Sequence, residues 1–292
     1  MAKKPIHVTS EIGDLQRVVL HRPGRELANM KAAEFEKCWI HDAFYLEYAQ
    51  KEHDAFANIL REAGSEVLYM EELLAEAMDA NPVARAAFLD EYMAQAPIPD
   101  PALVPLVREK LDAIEGNREL VAKALAGMRL HELDLASGPR TLSRLEGDGL
   151  APDDFVVYSM PSSYFSRDPI ASIGTGVALH RMYYNQRNRE VPFYKTFLTY
   201  HPDFAGTPFW YDNHSAAHIE GGDVLNINET TLAVGISERT EAAAIDTLAH
   251  NLFWGEEPSA IDTVYAIRIP FGYETMHLDT CLLYTSDAAD EL

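Results

Sequence analysis

The sequence predicts a mixed α/β fold in which short strands and occasional helices are interrupted by one all-helical insert. Three features predict it. The first 70 residues read strand, helix, strand; residues 71–150 carry alanine, leucine and glutamate at helical spacing; and short β-branched runs return after residue 150.

Arg17-Val-Val-Leu20 reads as a buried strand stopped by His21-Arg-Pro-Gly24, because proline removes a backbone donor and glycine permits a turn. From Leu46 onward, Leu46, Ala49, His53, Phe56, Leu60 and Ala63 recur in steps of three and four, which sets one helical face against a core. Gly64 supplies the C-terminal stop, and Glu66-Val-Leu-Tyr-Met70 is the second strand. Breaks in the helical insert fall at Asn81-Pro82, Pro97-Ile-Pro-Asp-Pro101, Gly116 and Ser137-Gly-Pro139. Later strands are predicted over Asp154–Ser159, Ala171–Leu179, Asp223–Asn228, Thr231–Ile236 and Thr263–Ile269. Between the last two lies a helix over Glu241–Trp254, capped by Thr240 and ended by Gly255. The expected domains are 1–70, a helical insert at 71–150, further α/β units at 151–280, and a tail at 281–292.

Composition narrows the function classes. A chain of 292 residues with 47% hydrophobic content can bury a sizeable core. With 24 Lys and Arg against 46 Asp and Glu, its net charge of −22 repels nucleic-acid phosphates and anionic membranes. The same field would concentrate a cationic substrate, although the solubility of an abundant cytosolic protein is the plainer account. Apolar runs such as Val18–Leu20, Val67–Met70 and Thr231–Ile236 fall far short of the ~20 residues a spanning helix needs. No apolar stretch follows the opening lysines, and the two cysteines, Cys38 and Cys281, are too few for a disulfide framework. A cytoplasmic protein is expected. Phosphate-binding glycine loops, His-Glu-x-x-His and paired Cys-x-x-Cys are all missing from the sequence.

Four places concentrate chemistry, and each has a plainer reading. Arg167 and Asp168 adjoin in Met160-Pro-Ser-Ser-Tyr-Phe-Ser-Arg-Asp-Pro169, where an adjacent Arg-Asp is commonly a solvated pair. Glycines between carboxylates in His218-Ile-Glu-Gly-Gly-Asp223 permit a sharp bend or a close approach to a ligand, and tight turns use them too. In Met276-His-Leu-Asp-Thr280, an extended strand would put His277 and Asp279 on one face, suited to acid/base work or metal ligation, or simply to a structural hydrogen bond. Asn185-Gln-Arg-Asn-Arg-Glu190 and Ser237-Glu-Arg239 could grip a carboxylate or only solvate the surface.

Taken together and in order, these stretches resemble the arginine deiminase family, the guanidine-modifying branch of the pentein fold. The resemblance is carried by Ser10-Glu-Ile-Gly13, Val18-Val-Leu-His-Arg-Pro-Gly-Arg-Glu-Leu27, Tyr48-Ala-Gln-Lys-Glu-His-Asp54, Tyr164-Phe-Ser-Arg-Asp-Pro-Ile-Ala-Ser-Ile-Gly174, Arg187-Asn-Arg-Glu190, Ile219-Glu-Gly-Gly-Asp223, Ala233-Val-Gly-Ile-Ser-Glu-Arg-Thr240 and Met276-His-Leu-Asp-Thr280. It implies a propeller of ββαβ units with a helical insert, its last part missing here, and hydrolysis of free L-arginine to citrulline and ammonia without metal or organic cofactor. Asp168 and Asp279 would clamp the guanidinium. His277 would be general acid and then base, charged and oriented by Glu220. Arg187 and Arg239 would hold the substrate carboxylate, Phe165 would wall the pocket, and Asp223 would join the substrate-binding set.

Two departures accompany the resemblance. Ser162 stands where relatives carry Asn, shortening one contact to the amino-acid end of the substrate. The family's nucleophilic cysteine belongs to a C-terminal segment not found here, and the stretch from Cys281 to Glu291 resembles a translated sequencing adapter, so a non-native tail is expected. On that reading Cys281 is not the nucleophile, and Cys38 is a buried small residue. The chain as given is expected to be inactive and to aggregate, and a homo-oligomer is left open for the complete protein. Other readings are an amidinotransferase or methylarginine hydrolase of the same superfamily, a non-catalytic arginine-binding fragment, and a metallohydrolase built on Asp168, Glu220, His277 and Asp279.

Overall fold

The computed structural model describes residues 6–31, 34–35, 45–135, 142 and 149–281. Cys38, the break at Ser137-Gly-Pro139 and residues 282–292 lie outside them. Among the described residues no helix is long and apolar enough to cross a membrane. The chain divides into two compact units, Leu15–Phe165 and a second joining Met1–Asp14 to Ser166–Leu292. The predicted boundary near residue 70 therefore falls inside one unit.

In the first unit, β1 (Arg17–Leu20) is followed by the single turn α1 (Arg25–Ala28) and by α2 (Leu46–Glu62). β2 (Glu66–Tyr69) then returns parallel to β1, Leu20 opposite Tyr69. The apolar face of α2 is displaced from the predicted one: Ala57 is its fully buried residue, while Phe56 is 51% exposed. A methyl at position 57 allows a closer approach than a ring would, and the burial follows the step of four from His53.

Met70 opens α3 (Met70–Ala80) rather than closing the second strand. α4 (Pro82–Gln95), α5 (Val104–Asp112) and α6 (Asn117–Ala126) complete the predicted helical insert. Asn81 makes the α3–α4 junction, its side chain accepting from the Val83 amide, and Pro82 occupies the first helical position, where its lost donor costs nothing. Leu74, Phe88, Leu89, Tyr92, Val107 and Leu120 fill the core between these helices. β3 (Met128–Arg129) and β4 (Phe155–Val157) form a short antiparallel pair, so the predicted strand at 154–159 contracts to three residues.

The second unit repeats one order of elements. β5 (Ile170–Ile173) and β6 (Gly176–Leu179) are antiparallel, α7 (Val191–Tyr200) follows, and β7 (Phe209–Tyr211) returns parallel to β6. β8 (Val224–Asn228), β9 (Thr231–Ile236), α8 (Ala242–Trp254) and β10 (Thr263–Arg268) repeat that ββαβ pattern, with β10 parallel to β9. The single strand predicted over Ala171–Leu179 is thus two. Gly174, at φ +54°, turns the chain there, a left-handed conformation open to glycine. Ile173, Trp210, Ile219, Val224, Leu232, Val234, Ile245 and Leu248 form the common core of both repeats.

Thr240 does not cap α8: the N-cap is Glu241, and the fully buried Thr240 hydroxyl donates to Asp223 Oδ2 (2.6 Å). A buried carboxylate competes for that hydroxyl more strongly than a helix amide does.

Candidate functional site

Three loops of the second unit bring the acidic residues together: the approach to β5, the turn before β8, and the segment after β10. Arg167 and Asp168 end the first, Glu220–Asp223 make the second, and His277–Asp279 lie in the third. The expectation that His277 and Asp279 share a face of an extended strand does not hold. Residues 278–281 form a helical turn, because the Leu278 amide donates to Asp223 Oδ1 (2.9 Å) and the Leu278 side chain buries against Leu225, Ala233 and Ile269.

The imidazole of His277 lies between two carboxylates. Nε2 is 3.0 Å from Glu220 Oε2, and Nδ1 is 3.8 Å from Asp168 Oδ1. Burial pulls the imidazole toward neutrality, yet the bond to Glu220 and the charges of Asp168, Glu220 and Asp223 outweigh it and raise its pKa. Glu220 answers in the opposite sense. Burial disfavours its charge, but the His277 bond and the positive charges of Arg187, His277 and Arg239 hold it at about 2. Its second oxygen accepts from the Tyr183 amide (3.0 Å), and its own amide donates to Thr240 Oγ1 (3.2 Å). The imidazole and the carboxylate are thus held in a fixed orientation.

The glycines of the Glu220–Asp223 turn permit close approach, but to protein groups. A Cβ on Gly222 would lie 2.5 Å from His277 Nδ1, and one on Gly221 would lie 1.9 Å from the Arg167 carbonyl oxygen. Both turn residues must be glycine for the imidazole and the β5 approach to sit where they do.

Asp168 Oδ2 accepts from Arg187 Nη1 (2.8 Å), while Arg187 Nε and Nη2 grip Glu190 at 2.9 Å each. The Asp168 carbonyl accepts from the Gly221 amide (3.1 Å) and from His180 Nδ1 (2.7 Å). Burial takes His180 down to about 4, so its ring is neutral with the proton on Nδ1. Arg239 Nη1 is 3.4 Å from Glu220 Oε2, its guanidinium lies 4.8 Å over the Tyr184 ring, and its Nε has no partner among the described residues.

Asp223 is fully buried with both oxygens in use, by Ser237 and Thr240 hydroxyls on one and the Leu278 amide on the other. It ties the third loop to the second. Asp279 stands apart from the imidazole's two carboxylates: Arg167 Nε is 3.7 Å from its Oδ2. Arg167 and Asp168 are therefore no mutual pair, each addressing a different partner. Phe165 belongs to the other unit, its half-exposed ring 4.2 Å from that of Tyr164.

Sequence reasoning gave Glu190 and Ser237 no role of their own, assigned Thr240 to a helix cap and passed over His180. For Glu190 a signal existed, an Arg and a Glu three apart in one helical segment; for the buried hydroxyls and His180 none did.

Asp168, Glu220 and His277 each offer a ligand atom within 4.8 Å of the others. Their closest approaches nevertheless involve opposite ring nitrogens, and one ion binds only one of them. A planar cation with several donors fits this arrangement better.

Comparisons with known proteins show which family the chain resembles. The family profile described as "Arginine deiminase" matches residues 38–288. An arginine deiminase of Streptococcus pyogenes is 44% identical over 282 residues, covering 96% of this chain and 67% of that protein, and the protein of serotype M1 gives the same values. Among solved structures, a dimethylarginine dimethylaminohydrolase adduct with 4-chloro-2-hydroxymethylpyridine aligns at TM-score 0.43 and 12% identity, over 90% of this chain and 63% of that one. An inosamine-phosphate amidinotransferase from Streptomyces griseus aligns at 0.41 and 14%, with the same coverage. This chain thus spans less than two thirds of either solved chain. The profile match and the 44% identity, both over most of the chain, make it a member of the arginine deiminase family.

Proposed function

We propose that this protein hydrolyses the guanidinium group of free L-arginine to L-citrulline and ammonia. The observation that carries the reading is the His277 imidazole between two carboxylates, one buried and held ionised, the other already engaged with a guanidinium of the chain itself. A substrate guanidinium would take the place of Arg187 on Asp168 and use Asp279 as its second acceptor, where two paired N–H edges match two carboxylates. Arg239, whose Nε has no partner among the described residues, suits the substrate carboxylate. Arg187 would assist once displaced from Asp168, while Asp223 acts by positioning.

His277, raised in pKa, carries the proton that the leaving nitrogen needs. A thiolate attacks the guanidinium carbon, the C–N bond breaks, and the nitrogen departs as ammonia with that proton. Water then adds to the amidino thioester while His277 takes its proton back, and citrulline and thiolate separate. Cys281 is a poor source of that thiolate: burial, then the negative charges of Asp223 and Asp279, push its thiol up, opposite to what a nucleophile requires. The nucleophile is expected from a segment beyond the described residues.

Citrulline release from arginine by the full-length protein tests this reading. A folded full-length protein inert toward arginine between about pH 5 and 9 would remove it. Parallel assays with methylated arginines and with amine acceptors separate hydrolysis of arginine from the other guanidine chemistries. A chelator-sensitive activity with stoichiometric metal would favour a metallohydrolase instead.

A further inference from the structure

We infer that Arg167 is a positioning residue that sets the Asp279 carboxylate opposite Asp168 in the guanidinium clamp. The inference rests on the proposed arginine chemistry and adds a residue that the motifs left as a solvated charge. A helical turn at 278–281 removes the strand geometry that would have aimed Asp279, so something else must aim it. Among the described residues the cationic contact to its side chain is Arg167 Nε, at 3.7 Å from Oδ2.

Arg167 is itself held on three sides. Nε donates to the Gly221 carbonyl (3.1 Å), Nη2 to the Val224 carbonyl (2.9 Å), and Nη1 to Glu11 Oε2 (3.1 Å). Glu11 in turn accepts from the Asn226 amide through Oε1 (2.8 Å), so the N-terminal segment locks the far side of the guanidinium. Gly221 and Val224 bracket the turn that holds His277 through Glu220 and Leu278 through Asp223. One planar side chain therefore references Asp279 to the same turn that fixes the imidazole. Asp168, the next residue in the chain, faces the other way, toward Arg187 and His277. A single peptide link thus sets the separation of the two clamp carboxylates. Its single Nε–H goes to the Gly221 carbonyl, so Asp279 meets the guanidinium as a charge at 3.7 Å, and only a fork of donors can hold two carbonyls and a carboxylate anchor while keeping that charge there; a lysine ammonium cannot.

The experiment compares Arg167→Lys, Arg167→Gln and Glu11→Gln in the full-length protein, measuring KM and kcat for arginine, competitive inhibition by citrulline, and the melting temperature. Arginine carries the charge that Asp279 meets, whereas citrulline presents a neutral urea. Both Arg167 variants are expected to raise KM for arginine about tenfold while the citrulline inhibition constant moves less than twofold. Glu11→Gln, which leaves the Asp279 contact in place, is expected to lower the melting temperature with KM unchanged. Equal losses for arginine and citrulline, or a KM rise in Glu11→Gln matching that of Arg167→Lys, would mean that Arg167 only staples the fold, and the inference would fail. If the unsubstituted protein does not convert arginine, the proposed function fails first and separately.

Discussion

Replacing Glu220 by Gln tests the electrostatic frame of the site directly. The side chain is fully buried, its Oε2 is shared by His277 at 3.0 Å and Arg239 at 3.4 Å, and its carboxyl sits at about 2 rather than the ordinary 4.5. That displacement corresponds to about 3 kcal/mol of folding stability, and the raised pKa of His277 reports the same contact, so it is counted once. Because the folded-state pKa is the lower one, the contribution is complete above the unfolded value near 4.5 and drains away as pH falls toward 2. Linkage leaves about half of it at pH 3. In urea denaturation, Glu220→Gln is expected to be less stable than the unsubstituted protein by about 3 kcal/mol at pH 7, a melting shift of roughly 6–12 °C. The gap should then narrow by about half at pH 3. A gap that is the same at both pH values, or smaller than about 1 kcal/mol at pH 7, would refute the idea that a buried, ionised Glu220 charges the imidazole.

Three further outcomes are expected. Leu278→Ala removes a side chain only 4% exposed that seats the His277 loop, and should cost about 2–4 kcal/mol in urea titration, with under 1 kcal/mol contradicting the packing described. Gly222→Ala places a methyl 2.5 Å from His277 Nδ1, so kcat should drop about 100-fold while circular dichroism stays native; near-normal turnover would show that the imidazole is free to move. His21 is flanked by Glu26 at 3.1 Å and Glu71 at 2.9 Å, and despite burial these partners lift it to about 10. Its contribution is complete below about pH 6.5 and lost as pH rises through about 10, so the stability difference between the protein and His21→Gln should shrink over that window.

Much of the framework was legible where local pattern and tertiary demand agree. Thr231–Ile236 is a strand with the predicted bounds, a short continuous buried run, and the helix over Glu241–Trp254 begins one residue later than read, its buried residues Ala244, Ile245, Leu248 and Leu252 falling on one face. The run from Ala171 to Leu179 failed because its apolar residues continue across a hairpin, and only Gly174 marks the reversal. β7 was invisible at three residues, and α7 begins at Val191-Pro192 after a 3-10 segment, without the polar cap that announces a helix. Residues of the candidate site were legible as motifs, whereas their partners were not. Nothing in the order of residues says that Thr240 serves Asp223 rather than a helix end, since that choice is made by a carboxylate more than ten positions away.

The contacts of Arg187 bear on how substrate would enter such a site. Its guanidinium hydrogen-bonds both Glu190 and Asp168, so leaving Asp168 still keeps it paired with Glu190. An incoming arginine would restore a guanidinium on Asp168, which makes the exchange at that carboxylate close to neutral in hydrogen bonds. Net affinity must then come from what Arg187 never provided: the contact with Asp279 and the grip on the substrate carboxylate. On the proposed reading the site would discriminate by the second carboxylate and by the amino-acid end, since a guanidinium of its own chain already occupies Asp168. A simple guanidine lacking the amino-acid end should accordingly bind far more weakly than arginine, even though it fills the same clamp.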